Sequence, residues 1–289
     1  MKKKLKKRWL YILIGTGLLI GFFYFQNNSI VISEHTITSN KLPEAFDGYN
    51  IIHLSDLHNK SFRDDQNYLV NKVKKADPDL IVFTGDLIDS RRYDEEPSLL
   101  LMDKLLEIAP IYYVTGNHEW RTGTFATLEK KLVDLGVHVL RNTSQEITIG
   151  SESITIMGVD DPLNKNESAT ESAVTKKNIS WALDNTEEKN SFQILLAHRP
   201  ELFSLYSEHV LDLVFSGHAH GGQFRLPFAG GLIAPDQGLF PEYTAGKHEL
   251  NNTTMLVSRG LGNSIIPVRI FNRPEIIVVT LRAKGSHTK

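Results

Sequence analysis

Five short apolar runs, each ending in polar residues of one narrow kind, constrain this 289-residue chain more than any other feature. Residues 49–54 (YNIIHL), 80–83 (LIVF), 111–114 (IYYV), 192–196 (FQILL) and 211–215 (LDLVF) have the length and residue types of buried strands. They lead into Ser55-Asp56-Leu57-His58, Thr84-Gly85-Asp86, Thr115-Gly116-Asn117-His118-Glu119, Ala197-His198-Arg199 and Ser216-Gly217-His218-Ala219-His220. In open α/β sheets ligands bind beyond the carboxyl ends of the strands, so groups far apart in sequence converge there on one crevice. Side chains at i and i+2 of an extended segment share a side, which would let Asp56 with His58, and His218 with His220, reach one centre. Gly85, Gly116 and Gly217 stand directly before key residues, where they permit turns that a β-carbon would obstruct.

Each fragment alone is weak, because Asp-x-His and Gly-Asp occur in ordinary turns. All five in order, each closing a strand pattern and together using five of the chain's 11 histidines, point to metal ligation. The chain has no cysteine, which removes thiolate zinc sites, iron–sulfur clusters, disulfides and a cysteine nucleophile. A metal must then be held by nitrogen and oxygen, a donor set that favours Mn, Fe, Zn, Co or Ni over Mg or Ca.

Helical spacing at residues 65–76, 97–108 and 125–135 alternates with the first strands, so β-α-β crossovers and a parallel component are expected. Residues 137–140, 146–149 and 153–157 follow one another across short polar turns and read as antiparallel strands. The fold class is therefore α/β with mixed sheets. Residues 164–177 read as a surface loop before a helix near 179–185.

No charge lies between Arg8 and Glu34, and residues 9–28 form an apolar stretch of the length a membrane span needs. Lys2, Lys3, Lys4, Lys6, Lys7 and Arg8 flank it on one side only, so residues 1–8 are expected to stay cytoplasmic and the rest to be exported. With no A-x-A-like site after Phe25, an uncleaved anchor is preferred to a signal peptide. Beyond that basic tail the chain carries 26 basic against 34 acidic residues, and no bulk affinity for nucleic acid is expected. Residues 29–45 read as a linker or a peripheral strand.

The ordered ligand set resembles the calcineurin-like metallophosphoesterase superfamily, over residues 50–281: Asp56-x-His58, Gly85-Asp86, Gly116-Asn117-His118-Glu119, His198 and Gly217-His218-x-His220 are all present. Gly221-Gly222-Gln223, Ser258-Arg259-Gly260-Leu261-Gly262 and Asn272-Arg273-Pro274-Glu275 are similar to the bacterial membrane-associated branch that includes enzymes of the UDP-2,3-diacylglucosamine pyrophosphatase type. The resemblance implies a four-layer α-β-β-α sandwich with two mixed sheets over residues 46–283, followed by a tail at 284–289. It implies two divalent metal ions, Mn, Fe or Zn, one held by Asp56, His58, Asp86 and His220, the other by Asp86, Asn117, His198 and His218, with Asp86 as the bridge. Phosphodiester, phosphomonoester or pyrophosphate bonds would be cleaved by a hydroxide shared between metals about 3.5–4 Å apart. His118 would serve the leaving oxygen as an acid, oriented by Glu119. Arg259 is the expected bidentate donor to the substrate phosphate, with Arg225 and Asn263 as further contacts and loop bracing as the alternative role for all three. An anchor near the site makes a lipid-linked or envelope phosphoester the expected substrate. A non-catalytic, metal-stabilised scaffold of the same fold is the alternative function, and a surface adhesin is a third.

Overall fold

The structure is a computed structural model that describes residues 2–163, 169–184, 191–209, 211–226, 228, 230–263 and 266–285. The apolar N-terminus forms one helix, α1 (Lys2–Asn28), within which the segment Lys6–Asn28 is long and apolar enough to cross a membrane and is largely exposed. Residues 29–45 contain an edge strand, β1 (Val31–Ser39). Strand and helix then alternate through β2 (Asn50–Leu54), α2 (Asn67–Lys75), β3 (Leu80–Thr84), α3 (Glu96–Leu106) and β4 (Ile111–Val114). A short α4 (Asn117–Arg121), α5 (Phe125–Leu135) and β5 (His138–Val139) follow.

The second half opens on β6 (Thr143–Ile149) and β7 (Glu152–Gly158), then α6 (Glu171–Asp184), β8 (Gln193–Leu196), α7 (Phe203–Tyr206) and β9 (Leu213–Ser216). Two small hairpins come next, β10 (Arg225–Leu226) with β11 (Gly230–Gly231), and β12 (Ile233–Ala234) with β13 (Gly238–Leu239). The chain ends through β14 (Gly246–Leu250), β15 (Thr253–Val257) and β16 (Glu275–Ala283). Two six-stranded sheets result, in the orders β1-β16-β2-β3-β4-β5 and β14-β15-β9-β8-β7-β6. Both are mixed: β2, β3, β4 and β5 run parallel beside an antiparallel β16, and β15, β9, β8 and β7 run parallel between antiparallel β14 and β6.

The apolar runs are continuous because both faces of each central strand are covered. On one face of the first sheet Ile52, Leu54, Ile81 and Phe83 pack on Leu69, Val73, Leu101, Leu105, Leu128 and Leu132 of α2, α3 and α5. The other face, with Ile51, Leu80, Val82 and Val114, meets Ile156, Ile194, Leu196, Leu213 and Phe215 of the second sheet. Leu195, Val214, Met255 and Val257 then pack outward on Ile179 and Ala182 of α6 and on Phe203 and Tyr206. Three apolar layers between helix, sheet, sheet and helix make the α-β-β-α sandwich. Cutting one such Leu or Ile to Ala would cost about 2–5 kcal/mol.

Three local expectations are corrected. The 137–140 segment does not join an antiparallel series: β5 pairs parallel with β4 in the first sheet, and only β6 and β7 form a hairpin. The helix expected from residue 65 begins at Asn67, because Asp65 and Gln66 hold positive φ angles of 54° and 63°. The helix expected near 179 already begins at Glu171; its buried face includes Thr175 and Asn178, so the apolar period does not reveal its first turns. Residues 164–168 of the expected loop, residue 185 of that helix and residues 286–289 of the tail lie outside the described residues.

Candidate metal centre

β2, β3 and β4 are parallel neighbours in one sheet, as are β8 and β9 in the other, so each set presents its carboxyl ends along one edge. At those ends the chain turns sharply. Asp56, His58, Asp86, His218 and His220 all have positive φ, between 46° and 64°. For residues other than glycine this region is sparsely populated and costs about 1–3 kcal/mol each, and such strain collects at functional sites. The turns are held by backbone bonds to neighbouring loops: Asp56 N–H to Gly85 O at 3.0 Å, His58 N–H to Asp86 O at 3.1 Å and Gly262 N–H to Asp56 O at 2.6 Å.

The expected i, i+2 geometry is therefore corrected. Asp56 and His58 share a centre because both sit in left-handed turns, not because an extended strand aligns them. His218 and His220 separate into different groups for the same reason. The glycines act in two ways. Gly85 has a φ of +84° and also no room, since a β-carbon there would strike the Gly116 backbone; Gly217 and Gly116 are demanded by space alone, since a β-carbon would strike Ser55 and Asp56 at Gly217 and the Asp86 backbone and carboxylate at Gly116.

Two overlapping groups of ligand-type atoms result, Asp56 with His58, Asp86 and His220, and Asp86 with His198 and His218. Within them His58 Nε2 lies 3.0 Å from His220 Nε2 and 3.6 Å from Asp86 Oδ2, and His220 Nε2 lies 3.4 Å from Asp56 Oδ1. In the second group His198 Nε2 is 3.3 Å from Asp86 Oδ2, 3.3 Å from Asn117 Oδ1 and 3.1 Å from His218 Nδ1. The structure thus brings together all seven side chains that the sequence nominated, with Asp86 common to both groups.

The side chains suit cations. His198 Nδ1 donates to the Thr84 carbonyl at 2.7 Å, which leaves its Nε2 facing Asp86 and Asn117. The two facing Nε2 atoms of His58 and His220 belong to buried rings whose Nδ1 atoms have no hydrogen-bond partner. Burial lowers the pKa of His58 to about 3 and, with His58 beside it, drives His220 well below the usual imidazole range. Both rings are thus neutral and able to offer lone pairs. Burial alone would raise the Asp86 carboxyl, but His198, His118 and His58 hold it well below the carboxylate range. Asp56 is pushed by burial to about 6, opposed by His198 and reinforced by Asp86. Burial pulls His198 down, yet Asp86 and Asp56 lift it to about 10, so the crevice demands positive charge between its carboxylates. A divalent cation answers that demand.

His118 lies beside this centre, its ring 4.5 Å from that of His58. The backbone N–H of Ser90 donates to His118 Nδ1 at 3.0 Å, so the neutral ring, favoured by burial, carries its hydrogen on Nε2. The expected pairing with Glu119 is corrected: the Glu119 carboxylate is turned to the backbone N–H groups of Asp86 (2.9 Å), Leu87 (2.9 Å), Ile88 (3.3 Å) and Gly116 (2.7 Å). It braces the Asp86 turn. The acidic neighbour of His118 is Asp89, 3.6 Å from Nδ1.

Of the expected substrate contacts, Asn263 is committed elsewhere, donating to Asn27 Oδ1 at 3.0 Å and accepting from Arg269 Nε at 3.0 Å. Arg225 donates to the Gly221 carbonyl at 3.0 Å. Arg259 Nε stands 3.5 Å from Glu275, whose other oxygen accepts the Arg259 backbone N–H at 3.1 Å. All three have bracing partners. Sequence reasoning missed Asp236, whose carboxylate is 3.1 Å from His218 Nε2 and 2.9 Å from an Arg199 nitrogen. It orients the ring whose other nitrogen faces the centre. Arg199, beside His198 in sequence, was a visible signal; Asp236, on a hairpin 16 residues after His220, had none.

Comparison with known proteins bears on the same residues. A family profile described as calcineurin-like phosphoesterase matches residues 49–222. An uncharacterised metallophosphoesterase of Bacillus subtilis (strain 168), YkuE, is 32% identical over 265 residues, covering 90% of this chain and 88% of that protein. One from Aquifex aeolicus (strain VF5) is 29% identical, covering 93% of this chain and 98% of that protein. A transmembrane protein with a metallophosphoesterase domain from Danio rerio is 28% identical over 85% of this chain and 56% of its own length.

Proposed function

The chain belongs to the calcineurin-like metallophosphoesterase family and is a metal-dependent phosphoester hydrolase; from that premise we propose that it works with two divalent cations while anchored in a membrane by α1. The observation that carries the two-cation reading is the sharing of Asp86 between two buried groups of ligand atoms. Asp56, His58, Asp86 and His220 would hold one cation, and Asp86, Asn117, His198 and His218 the other. Cations there would polarise a phosphoryl oxygen and make water a competent nucleophile near neutral pH. Manganese, or iron with zinc, fits the nitrogen-rich donor set.

The remaining roles fall to the chain's own groups. Asp236 keeps the His218 ring turned so that Nδ1 faces the centre, and Glu119 keeps the Asp86 turn closed. His118, neutral with hydrogen on Nε2, donates to the leaving oxygen, and the Ser90 backbone N–H fixes its other nitrogen. Arg259, paired with Glu275 yet 27% exposed, is the proposed donor to the substrate phosphate or pyrophosphate. The substrate proposed is a lipid-linked or envelope phosphodiester or pyrophosphate, supported by the apolar helix and by the resemblance of residues 221–223, 258–262 and 272–275 to enzymes that cleave a nucleotide-diphosphate lipid. The domain of residues 46–283 would lie outside the cytoplasm, as the basic tail favours.

The test uses the full chain in detergent with Mn, Zn and Mg supplied separately. Bis(4-nitrophenyl) phosphate, 4-nitrophenyl phosphate and a nucleotide-diphosphate lipid are the substrates. Hydrolysis that needs Mn or Zn, and that His218→Ala abolishes without unfolding the protein, is the expected outcome. Manganese binding with no hydrolysis of any of these esters would instead support the scaffold. Cleavage of residues 46–283 by protease added to intact cells tests the orientation.

A further inference from the structure

Residues 224–240 read FRLPFAGGLIAPDQGLF, a segment with two formal charges, Arg225 and Asp236. Both are committed to partners of the chain itself, Arg225 to the Gly221 carbonyl and Asp236, though 47% exposed, to His218 and Arg199. The outward side of its two hairpins is apolar: Leu226 is 45% exposed, Leu239 68% and Phe240 64%, and Phe228 is fully exposed. A soluble face would not carry so many large apolar side chains together without a partner.

The partner is indicated by what these hairpins are fastened to. Phe224 bridges to Ile270 and the Arg225 N–H donates to Ile270 O at 3.0 Å. Leu232 donates to Phe224 O at 2.8 Å and accepts from the Phe240 N–H at 2.9 Å, so both hairpins form one unit. The next residue, Phe271, 58% exposed, meets the ring of Phe22 on α1 edge-on at 5.9 Å. Farther along the same helix Arg273 lies over Phe25 at 5.2 Å, and Lys60 donates to the Asn27 carbonyl. At 1.5 Å per residue, Phe22 lies about 7.5 Å farther along the helix axis into the membrane than Asn27. The polar contacts therefore sit at the emerging end of the helix, and Phe271 at the depth where aromatic side chains enter the interface.

We infer that the apolar hairpins built on Leu226, Phe228, Leu239 and Phe240, together with Phe271, form a lip that rests in the outer surface of the lipid bilayer beside α1. The lip carries Asp236, so it also borders the metal centre. A phosphoester attached to a lipid reaches that centre at headgroup level without leaving the membrane. The inference rests on α1 being a membrane anchor and gives that reading its substrate class: a phosphoester that is itself part of the leaflet.

The absence of cysteine allows the test to be made with single labels. Leu239→Cys and Phe271→Cys report the lip, Leu18→Cys reports α1, and Glu249→Cys lies at the amino-terminal ends of the second sheet, opposite the metal centre. Each full-length variant, carrying an environment-sensitive dye, is placed in vesicles of phosphatidylcholine and phosphatidylglycerol that include a lipid spin-labelled near its headgroup. Unchanged hydrolysis of bis(4-nitrophenyl) phosphate checks the fold of each. Expected is a blue shift with loss of most emission at 18, 239 and 271, and neither at 249. Quenching at 18 with iodide-accessible, unquenched dyes at 239 and 271 would overturn the lip while leaving the anchor standing. No quenching at 18 would remove the anchor and the lip together. A shift at 239 that follows protein density and not the spin-labelled lipid would assign the face to a second copy and overturn the proposal.

Discussion

The two sheets bring different chemistry to the edge they share. Every carboxylate and amide in the two candidate ligand groups, Asp56, Asp86 and Asn117, comes from turns after β2, β3 or β4 of the first sheet, with His58 as its one candidate imidazole. The second sheet contributes imidazoles alone, His198, His218 and His220, from the turns after β8 and β9. Left to itself the first sheet would crowd two buried carboxylates together. Packed against the second, it meets His198, which opposes the upward shift of Asp56 and holds Asp86 ionised. The centre exists only across the seam, so binding a cation there also fastens the two halves of the fold together.

This division can be broken most severely at the residue both groups share. Asp86→Ala should lower kcat/KM on bis(4-nitrophenyl) phosphate with manganese by about 10³-fold or more, which is about 4 kcal/mol. A loss no larger than that of His220→Ala, which touches one group only, would mean that Asp86 is not shared. Asp236→Asn acts on the second sheet from behind, and there a loss of about 10–100-fold in manganese affinity is expected by calorimetry. An unchanged affinity would show that His218 needs no such support.

The seam itself is tested by Gly217→Ala, whose added β-carbon must displace Ser55 and Asp56 on the opposite sheet. Chemical unfolding should report about 1–3 kcal/mol of lost stability, larger when manganese is present, because the displaced Asp56 is then also a lost ligand. The smallest effect concerns Glu119, which burial, reinforced by Asp86, lifts from 4.5 to about 7 against the pull of the Gly116 and Ile88 N–H groups. The folded state binds this proton more tightly than the unfolded chain does. Its contribution to stability is complete below pH 4.5 and is lost as pH rises through about 7. Glu119→Gln should flatten that part of the stability profile, measured by thermal melts across pH. A slope identical to that of the unaltered protein would place the titration elsewhere.

Much of this molecule was legible in one dimension. A strand buried on both faces is apolar at most positions, so the five central strands appear as nearly continuous runs, and a strand's end is where polar groups can gather. Ligand chemistry is equally local: a carboxylate, an amide and an imidazole are recognisable by type, and their order along the chain was enough to nominate Asp56, His58, Asp86, Asn117, His198, His218 and His220. Other assignments depended on distances between loops. Glu119 stands beside His118 in sequence, yet the first turn of α4 aims its carboxylate at the backbone of the Asp86 turn, while Asp89 arrives next to His118 from another loop. Asp236 reaches His218 only because the hairpins fold back over the turn that carries His220, and the two residues of β5 choose the first sheet because β4 offers them a free edge. The sequence by itself determined which groups are buried and what they can bind, since those follow from each residue's own polarity. Only the tertiary structure decided which group braces which, because a hydrogen bond depends on where two separate turns come to rest in space.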